Sequence, residues 1–353
     1  TTSTLQQEAA RKIGFAVGTT MRVAQKLYEA GLITYMRTDS MNLSDLCLNT
    51  VGPVITELMG ADYHQRRRYH THAKGAQEAH EAIRPTDMRR SEIKGTAQEK
   101  RLYDLIWKRT VACQMADAQL ERTTVLVDVE GSEHHFVATG EVVKFEGFLR
   151  VYRESFEDNE NESAENLAAE GLLPPMTEGQ ELHRQTITAR QRYSLPPARY
   201  SEASLVHKLE ELGIGRPSTY APTISTIQQR EYVRRGENEG KPRPVTLVTL
   251  TGKDIVTEQS SENYGSDRGK LVPTDTGIVV NDFLMEKFPE IMDYNFTANV
   301  EHDFDLVAEG EKDWTELIRT FYGDLEPQVE TVLSERSDTR VGERLSLIHI
   351  SEP

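Results

Sequence analysis

Cysteine is scarce in this chain, because Cys47 and Cys113 are the only two among 353 residues. They are too far apart for a CxxC zinc site, and so little cysteine excludes a disulfide-rich secreted domain and favours a reducing compartment. The chain also has no apolar run long enough to cross a bilayer and no signal-peptide pattern. We therefore expect a cytoplasmic protein without a membrane partner.

The chain also lacks an excess of basic residues, since 41 Lys and Arg stand against 57 Asp and Glu, a net charge of −16. The charge is uneven: residues 1–117 carry +4, whereas residues 118–200 carry −7. Residues 154–170 hold seven acidic groups and no basic one, which predicts an exposed insert that repels phosphate. Any binding of nucleic acid must therefore come from local basic clusters.

The stretch GLITYMRTDS, residues 31–40, combines a helix stop with an extended segment. Gly31 ends the preceding helical pattern, and the β-forming residues after it predict a short extended segment. Tyr35 and Arg37 are two residues apart, so their side chains are expected on one face. Asp39 or Ser40 is predicted to cap the next helix.

A phenol beside a guanidinium suggests nucleophilic chemistry on phosphate. A phenolate is a competent nucleophile, but a free phenol ionises only near pH ~10, so a fixed cation nearby favours it. The guanidinium can also bind a phosphate and stabilise the charge that builds up during attack. The pattern indicates transfer of a phosphodiester onto Tyr35. By residue type and spacing alone, a half-buried strand tyrosine with a surface arginine fits as well.

Three stretches, in this order, resemble the bacterial type IA DNA topoisomerases. They are LITYMRTDS at 32–40, AQEAHEAIRPTD at 76–87 and PPARYSEASLVHKLEELGIGRPSTYAPTISTIQQREYV at 196–233. The likeness extends from about residue 5 to about residue 330. Three long blocks are far more specific than one short motif, so the chain is identified as a member of this family.

The resemblance implies an activity and its main residues. Members relax negatively supercoiled DNA without ATP: they cleave one strand through a 5′-phosphotyrosine, pass another strand through the gap and reseal it. Tyr35 would be the nucleophile, Arg37 would position and neutralise the phosphate, and His80 would assist. The expected partners are single-stranded and negatively supercoiled DNA, and the expected state is a monomer.

The family also uses Mg²⁺, held by a Toprim domain that precedes the tyrosine segment. This chain begins too late to contain that domain, and it lacks the cysteine-rich zinc modules of many members. We therefore expect a fragment that relaxes DNA poorly or not at all by itself, with no metal ligands of its own.

The expected fold class is mixed α and β, mostly α, with the toroidal core of the family. We predict a helical gate domain at 1–117, a β-rich arch at 118–190 and a helical DNA-binding base at 191–335. The tail, 336–353, ends in LSLIHISEP, which fits neither the helical pattern nor the family and is interpreted as non-native.

The second and third blocks supply the remaining DNA-binding candidates. Residues 77–85 are predicted to form a helix on which His80 and Arg84 share one face, a pair suited to a phosphate oxygen. The turn at 213–218 is predicted to end one helix and start another, which favours an anion site but is equally typical of a purely structural turn. The resemblance implies that the DNA-binding residues are Arg84, Arg199, Arg216, Ser218 and Thr219.

Other patterns suggest sites that we reject. His64, His70 and His72 have no Cys or carboxylate beside them, so we predict a loop near DNA in place of a metal site. Asp303-Phe-Asp305 loosely resembles a metal-binding DxD, but we interpret it as the solvated face of a helix with Phe304 inward.

Two other functional classes remain open at this point. A non-catalytic single-stranded-DNA-binding module would need no reactive tyrosine. A tyrosine transesterase of the recombinase or relaxase kind is the second class, and recombinases attach tyrosine to a 3′-phosphate, so the polarity of the adduct separates them.

Overall fold

The computed structural model describes residues 1–69, 81–153, 173 and 176–335. Helical residues outnumber strand residues, which confirms the expected mixed α and β class. The predicted acidic insert and tail, 154–170 and 336–353, lie outside the described residues. Within the described part, no helix is both long and apolar enough to span a membrane.

Four helices build the N-terminal part of the chain: α1 (Thr2–Ile13), α2 (Val17–Glu29), α3 (Asp45–Met59) and α4 (Ala97–Ala112). They match the predicted helical patterns. The predicted cap for α3 was wrong, because Ser44, and neither Asp39 nor Ser40, accepts the hydrogen bond from the Cys47 amide at its first turn. Residues 39 and 40 are instead part of the extended segment that follows Tyr35.

These helices enclose the main apolar core. Ala24 and Leu27 of α2, Val51 of α3 and Leu102 of α4 are all almost completely buried. Each of the three larger side chains removed from water, those of Leu27, Val51 and Leu102, contributes about 1.5–3 kcal/mol. Cys47 lies in the same core as a small buried side chain, and burial raises the pKa of its thiol.

In the part of the chain that the structure describes, seven strands form three antiparallel sheets: β1 (Gln119–Asp128), β2 (His135–Phe145), β3 (Thr186–Arg190), β4 (Val233–Arg235), β5 (Lys241–Thr251), β6 (Asp254–Tyr264) and β7 (Leu271–Pro273). β1 pairs with β2, and β4 pairs with β7. The third sheet has the order β3-β5-β6. β1, β2 and β3 all fall within the residues predicted as the β-rich arch, 118–190.

The long hairpin of β5 and β6 falls in the region expected to be helical, 191–335. It is also bonded to β3, so the boundary predicted at residue 190 separates a strand from its sheet. Its sequence has the features of a hairpin: β5 and β6 are rich in β-branched residues, and Thr251 pairs with Asp254 across two residues. Gly252, at φ 61°, opens that two-residue turn.

Six further helices complete the described chain: α5 (Glu202–Leu212), α6 (Tyr220–Gln229), α7 (Asp275–Lys287), α8 (Pro289–Met292), α9 (Tyr294–Ala308) and α10 (Trp314–Ser334). Ser201 and Thr274 cap α5 and α7. A small second core joins α5 and α6 to α2 through Val206, Ile224 and the fully buried Val17.

Candidate active site

The Tyr35 segment lies against the end of the second resemblance block. Ile33 forms an antiparallel bridge with Pro85, and the Thr34 amide donates to the Arg84 carbonyl at 2.9 Å. The Thr34 hydroxyl donates to the Ala82 carbonyl at 2.7 Å. Two blocks that are about fifty residues apart in sequence are therefore joined beside the tyrosine.

The other end of the segment is fixed by the start of α1. The Thr2 amide donates to the Thr38 carbonyl at 2.8 Å, and the Thr38 amide donates to the Thr2 hydroxyl at 2.9 Å. The Thr2 hydroxyl also donates to the Met36 carbonyl at 2.8 Å. These bonds hold the backbone on both sides of Tyr35.

Along this anchored segment, buried and exposed side chains alternate. Met36 and Thr38 are each 1% exposed, whereas Tyr35 is 37% exposed and Arg37 is also exposed. The structure therefore places Tyr35 and Arg37 on the same outer face, as the spacing predicted. The ring of Tyr28, at the end of α2, meets the Tyr35 ring edge-on with 5.3 Å between centroids.

Arg84 is not placed as predicted. The predicted helix is absent over the described residues, because residues 81–85 are not helical, and Arg84 is only 6% exposed. Its guanidinium donates to both oxygens of Glu81, to the Ser44 hydroxyl and to the Pro85 carbonyl. Arg84 therefore fastens the second block to the N-terminus of α3.

Glu81 completes this anchor. Its Oε1 accepts from the Ser44 amide at 2.6 Å, and its Oε2 accepts from Arg84 at 2.7 Å. Partial burial raises the pKa of a carboxyl, but the hydrogen bonds from Arg84 and Ser44 outweigh it and hold the pKa of Glu81 below its usual range. His80, the third predicted catalytic residue, lies outside the described residues, immediately before this anchored segment.

The third block packs on the helix that leads to the tyrosine. α2 has no side-chain cap of its own, and the Val17 amide donates instead to Glu202 of α5 at 2.9 Å. Glu202 also accepts from Gln228 of α6 and from Arg235 of β4. Sequence analysis missed this residue, because no local pattern marks a carboxylate that caps a helix far away in sequence.

Arg216 lies in the predicted turn between α5 and α6, but two carboxylates of α9 neutralise it. Its guanidinium donates to Asp305 at 2.8 Å, and its Nε is 3.2 Å from Glu301 without hydrogen-bond alignment. Burial raises the pKa of Glu301, although Arg216 opposes the shift. The DxD pattern was thus wrongly interpreted as a solvated face, and Phe304, expected inward, is 51% exposed.

The other predicted DNA-binding residues are accessible. Arg199, Ser218 and Thr219 are exposed, and Tyr200 is 45% exposed. Thr219 precedes α6 without capping it, because its hydroxyl accepts instead from the Arg216 amide at 2.8 Å. Tyr220 is buried in the small core, and this burial together with Glu210 and Glu301 raises its pKa, which makes it a packing residue.

The residues that the structure describes do not form a metal site. Within 1–69, 81–153, 173 and 176–335, no three His, Cys, Asp or Glu side chains come together as metal ligands. Of the three histidines considered above, His64 packs against Gly52, and the other two lie outside the described residues.

Comparison with known proteins agrees with the resemblance. The sequence matches the DNA topoisomerase family over residues 1–250 and 249–319. A prokaryotic-type DNA topoisomerase 1 of Acanthamoeba polyphaga mimivirus is 42% identical over 361 residues, covering 98% of this chain and 42% of the relative. DNA topoisomerase 1 of Pseudomonas aeruginosa is 41% identical over 93% of this chain and 34% of its own length.

A solved structure has the same fold. Full-length topoisomerase I from Thermotoga maritima superposes with a TM-score of 0.69 and 32% identity, over 92% of this chain and 48% of that one. The chain thus spans less than half the length of these relatives. With the family match covering most of its residues, the chain belongs to the bacterial type IA DNA topoisomerases.

Proposed function

We propose that this chain carries the nucleophile and part of the DNA-binding surface of an enzyme that relaxes negatively supercoiled DNA without ATP. One observation carries the proposal: Tyr35 and Arg37 share the outer face of a segment whose backbone is hydrogen-bonded on both sides. Relatives that match nearly the whole chain are named DNA topoisomerase 1.

In the proposed reaction the Tyr35 oxygen attacks a backbone phosphorus of single-stranded DNA. A bond forms between that oxygen and phosphorus, the bond from phosphorus to the 3′-oxygen breaks, and the phenolic proton is given up as the 3′-oxygen gains one. The 5′-phosphate remains on Tyr35 while another strand passes. Attack by the 3′-hydroxyl then reverses the step, so the phosphodiester energy is conserved and ATP is not needed.

Arg37 is proposed to bind the scissile phosphate, because a guanidinium can contact two phosphate oxygens and stabilise charge that grows in the transition state. His80 is proposed to assist at the same phosphate. Its neighbours support this placement, since Ala82 is hydrogen-bonded to Thr34 next to the tyrosine. Arg84 is proposed as a positioning residue that holds this arrangement and does not itself contact DNA.

Single-stranded DNA is proposed to run from Tyr35 past Arg199 and the turn of Ser218 and Thr219, which are exposed. Arg216 would join this path by exchanging Asp305 for a phosphate. The Mg²⁺ used by the family is proposed to be held by residues outside this chain. A cytoplasmic monomer and the toroidal gate, arch and base of the family complete the proposal.

Covalent attachment tests this proposal. An end-labelled single-stranded oligonucleotide is incubated with the chain or with Tyr35→Phe, each with and without Mg²⁺ and the separately expressed remainder of a relative. We expect a labelled adduct on a denaturing gel that needs the added remainder and is lost in Tyr35→Phe.

Binding of the oligonucleotide without any adduct, even with the remainder restored, would contradict the proposal. The chain would then be a non-catalytic single-strand-binding module, and Tyr35 would be structural. Ser40→Ala is a suitable control, because Ser40 is a buried residue of the same segment with no proposed role in the chemistry.

A further inference from the structure

A basic strip runs from β3 toward α5. Between Glu181 and Glu202 the sequence has no Asp or Glu but four arginines, at 184, 190, 192 and 199, and all four are exposed. In a chain of net charge −16, this is a local cluster of the kind that phosphate binding requires. Among the strands that the structure describes, β3 pairs with β5 alone and is an edge strand of its sheet.

An arginine stacked on two tyrosines adjoins this strip. The guanidinium carbon of Arg243 in β5 lies 4.0 Å from the ring centre of Tyr193 and 5.1 Å from that of Tyr264 at the end of β6. Tyr193 and Tyr264 are 43% and 40% exposed, so both rings keep surface available to a ligand.

The stack is fixed in place before any ligand arrives. Arg243 faces Glu262 across the β5–β6 ladder and donates to it through Nε at 2.6 Å, while a second nitrogen lies 2.5 Å from the same oxygen. The planar guanidinium is thus already held against the two rings, so a ligand that binds there orders this side chain at little further cost in entropy. Glu258 lies in the same cross-strand row as Arg190, so the surface carries charges of both signs. Binding of a ligand there therefore depends on the aromatic rings as well as on the arginines.

We propose that Tyr193, Arg243 and Tyr264 form a stacking platform for the bases of single-stranded DNA, with the adjoining arginines on its phosphates. Exposed aromatic rings beside basic side chains are the combination that binds single strands without reading sequence. The hairpin that carries two of the three residues lies where the two matched segments of the family meet, at residues 249–250. The platform contains no residue of the proposed cleavage chemistry and is separate from the Arg216 turn.

Fluorescence anisotropy with a labelled (dT)16 oligonucleotide tests the platform in the full chain. The double variant Tyr193→Ala/Tyr264→Ala should bind about tenfold more weakly, because each stacked base is worth a several-fold factor. Tyr193→Phe/Tyr264→Phe keeps both rings and should bind within about twofold of the parent. The matched control is Tyr294→Ala, which removes a tyrosine that is 72% exposed on α9.

A base-free 16-mer of abasic deoxyribose phosphate separates stacking from charge. The parent should prefer (dT)16 by about tenfold, and the alanine double variant should lose most of that preference. Equal binding by the parent and the alanine variant, or an unchanged preference for bases, would overturn the platform. If the alanine variant unfolds, Arg243→Lys serves instead and should lose the same preference while keeping the charge.

Failure of the platform is distinguishable from failure of the cleavage proposal. The two proposals have different readouts: the covalent adduct reports on the Tyr35 oxygen, and the preference for (dT)16 over the abasic 16-mer reports on the platform rings. A missing adduct therefore bears on Tyr35 alone, and unchanged (dT)16 binding in the alanine double variant bears on the platform alone.

Discussion

The two ends of the described chain are packed very differently. Residues 1–152 hold a large core in which Leu102 and Val51 are completely buried, whereas α7, α8, α9 and α10 contain no buried residue. Trp107 is 7% exposed, and Trp314 is 62% exposed. The tyrosine segment is thus positioned by a well-packed core, whereas the carboxylates that hold Arg216 lie on α9, one of the loosely packed helices.

A matched pair of leucine substitutions should give the largest difference between these regions. Leu102→Ala leaves a cavity in the main core and should cost about 2–5 kcal/mol, whereas Leu333→Ala on α10, 79% exposed, should cost less than about 0.5 kcal/mol. Urea unfolding followed by Trp107 fluorescence in a Trp314→Phe background measures both. Equal losses in the free energy of unfolding for the two variants would contradict the difference in packing between the two regions.

Arg37→Ala should damage the chemistry and leave the fold unchanged. Because Arg37 is exposed and is proposed to stabilise charge on the phosphate, adduct formation should fall about 100-fold while stability changes by less than about 0.5 kcal/mol. The measurements are adduct yield and thermal unfolding. Arg89→Ala, which removes another exposed arginine, is the control and should leave adduct yield unchanged.

The Glu81 anchor should make the stability of the tyrosine region depend on pH. The pKa of Glu81 is lowered on folding, so its stabilisation is present above the unfolded value of 4.5 and is lost as pH falls through the lower folded value. Glu81→Gln should lower the melting temperature by roughly 2–4 °C at pH 7, and the gap should close in acid below pH 4.5.

The control for this prediction is Glu57→Gln, an exposed carboxylate on α3. Its melting temperature should differ little from that of the parent at either pH. A gap for Glu81→Gln that persists at acid pH would show that the carboxylate charge is not what anchors the segment.

The smallest effect is expected at the ion pairs of the loosely packed end. Asp305→Asn leaves Arg216 with one carboxylate partner fewer and removes a charge that repels phosphate, so (dT)16 should bind roughly two- to threefold more tightly. Asp303→Asn also removes one negative charge from α9, but it frees Lys312 and leaves the partners of Arg216 in place, so it should have less effect. Equal gains would assign the change to net charge alone.

Much of the densely packed region could be predicted from sequence. Its helices follow apolar periodicity, and the alternation around Met36 correctly placed Tyr35 and Arg37 on one face. The cap of α3 was missed, because several residues before it have capping side chains and only tertiary hydrogen bonds select Ser44.

The remaining errors involve contacts between residues far apart in sequence. Arg84 was expected on a helix face beside His80, and no local pattern reveals that its guanidinium donates to Ser44, which is 40 residues away. Asp305 was read as solvated for the same reason, because its partner Arg216 is 89 residues away. The β5–β6 hairpin carried a local signal in Gly252 and its alternating strands, and that signal was overlooked.

The identity of the residue that becomes attached to DNA tests the central claim most directly. After cleavage with the remainder of a relative and Mg²⁺ supplied, the adduct is digested and its peptide is sequenced by mass spectrometry. The account predicts a 5′-phosphate on the peptide that contains Tyr35, attached to the tyrosine itself. A 3′-phosphate, or attachment to any other residue, would contradict it.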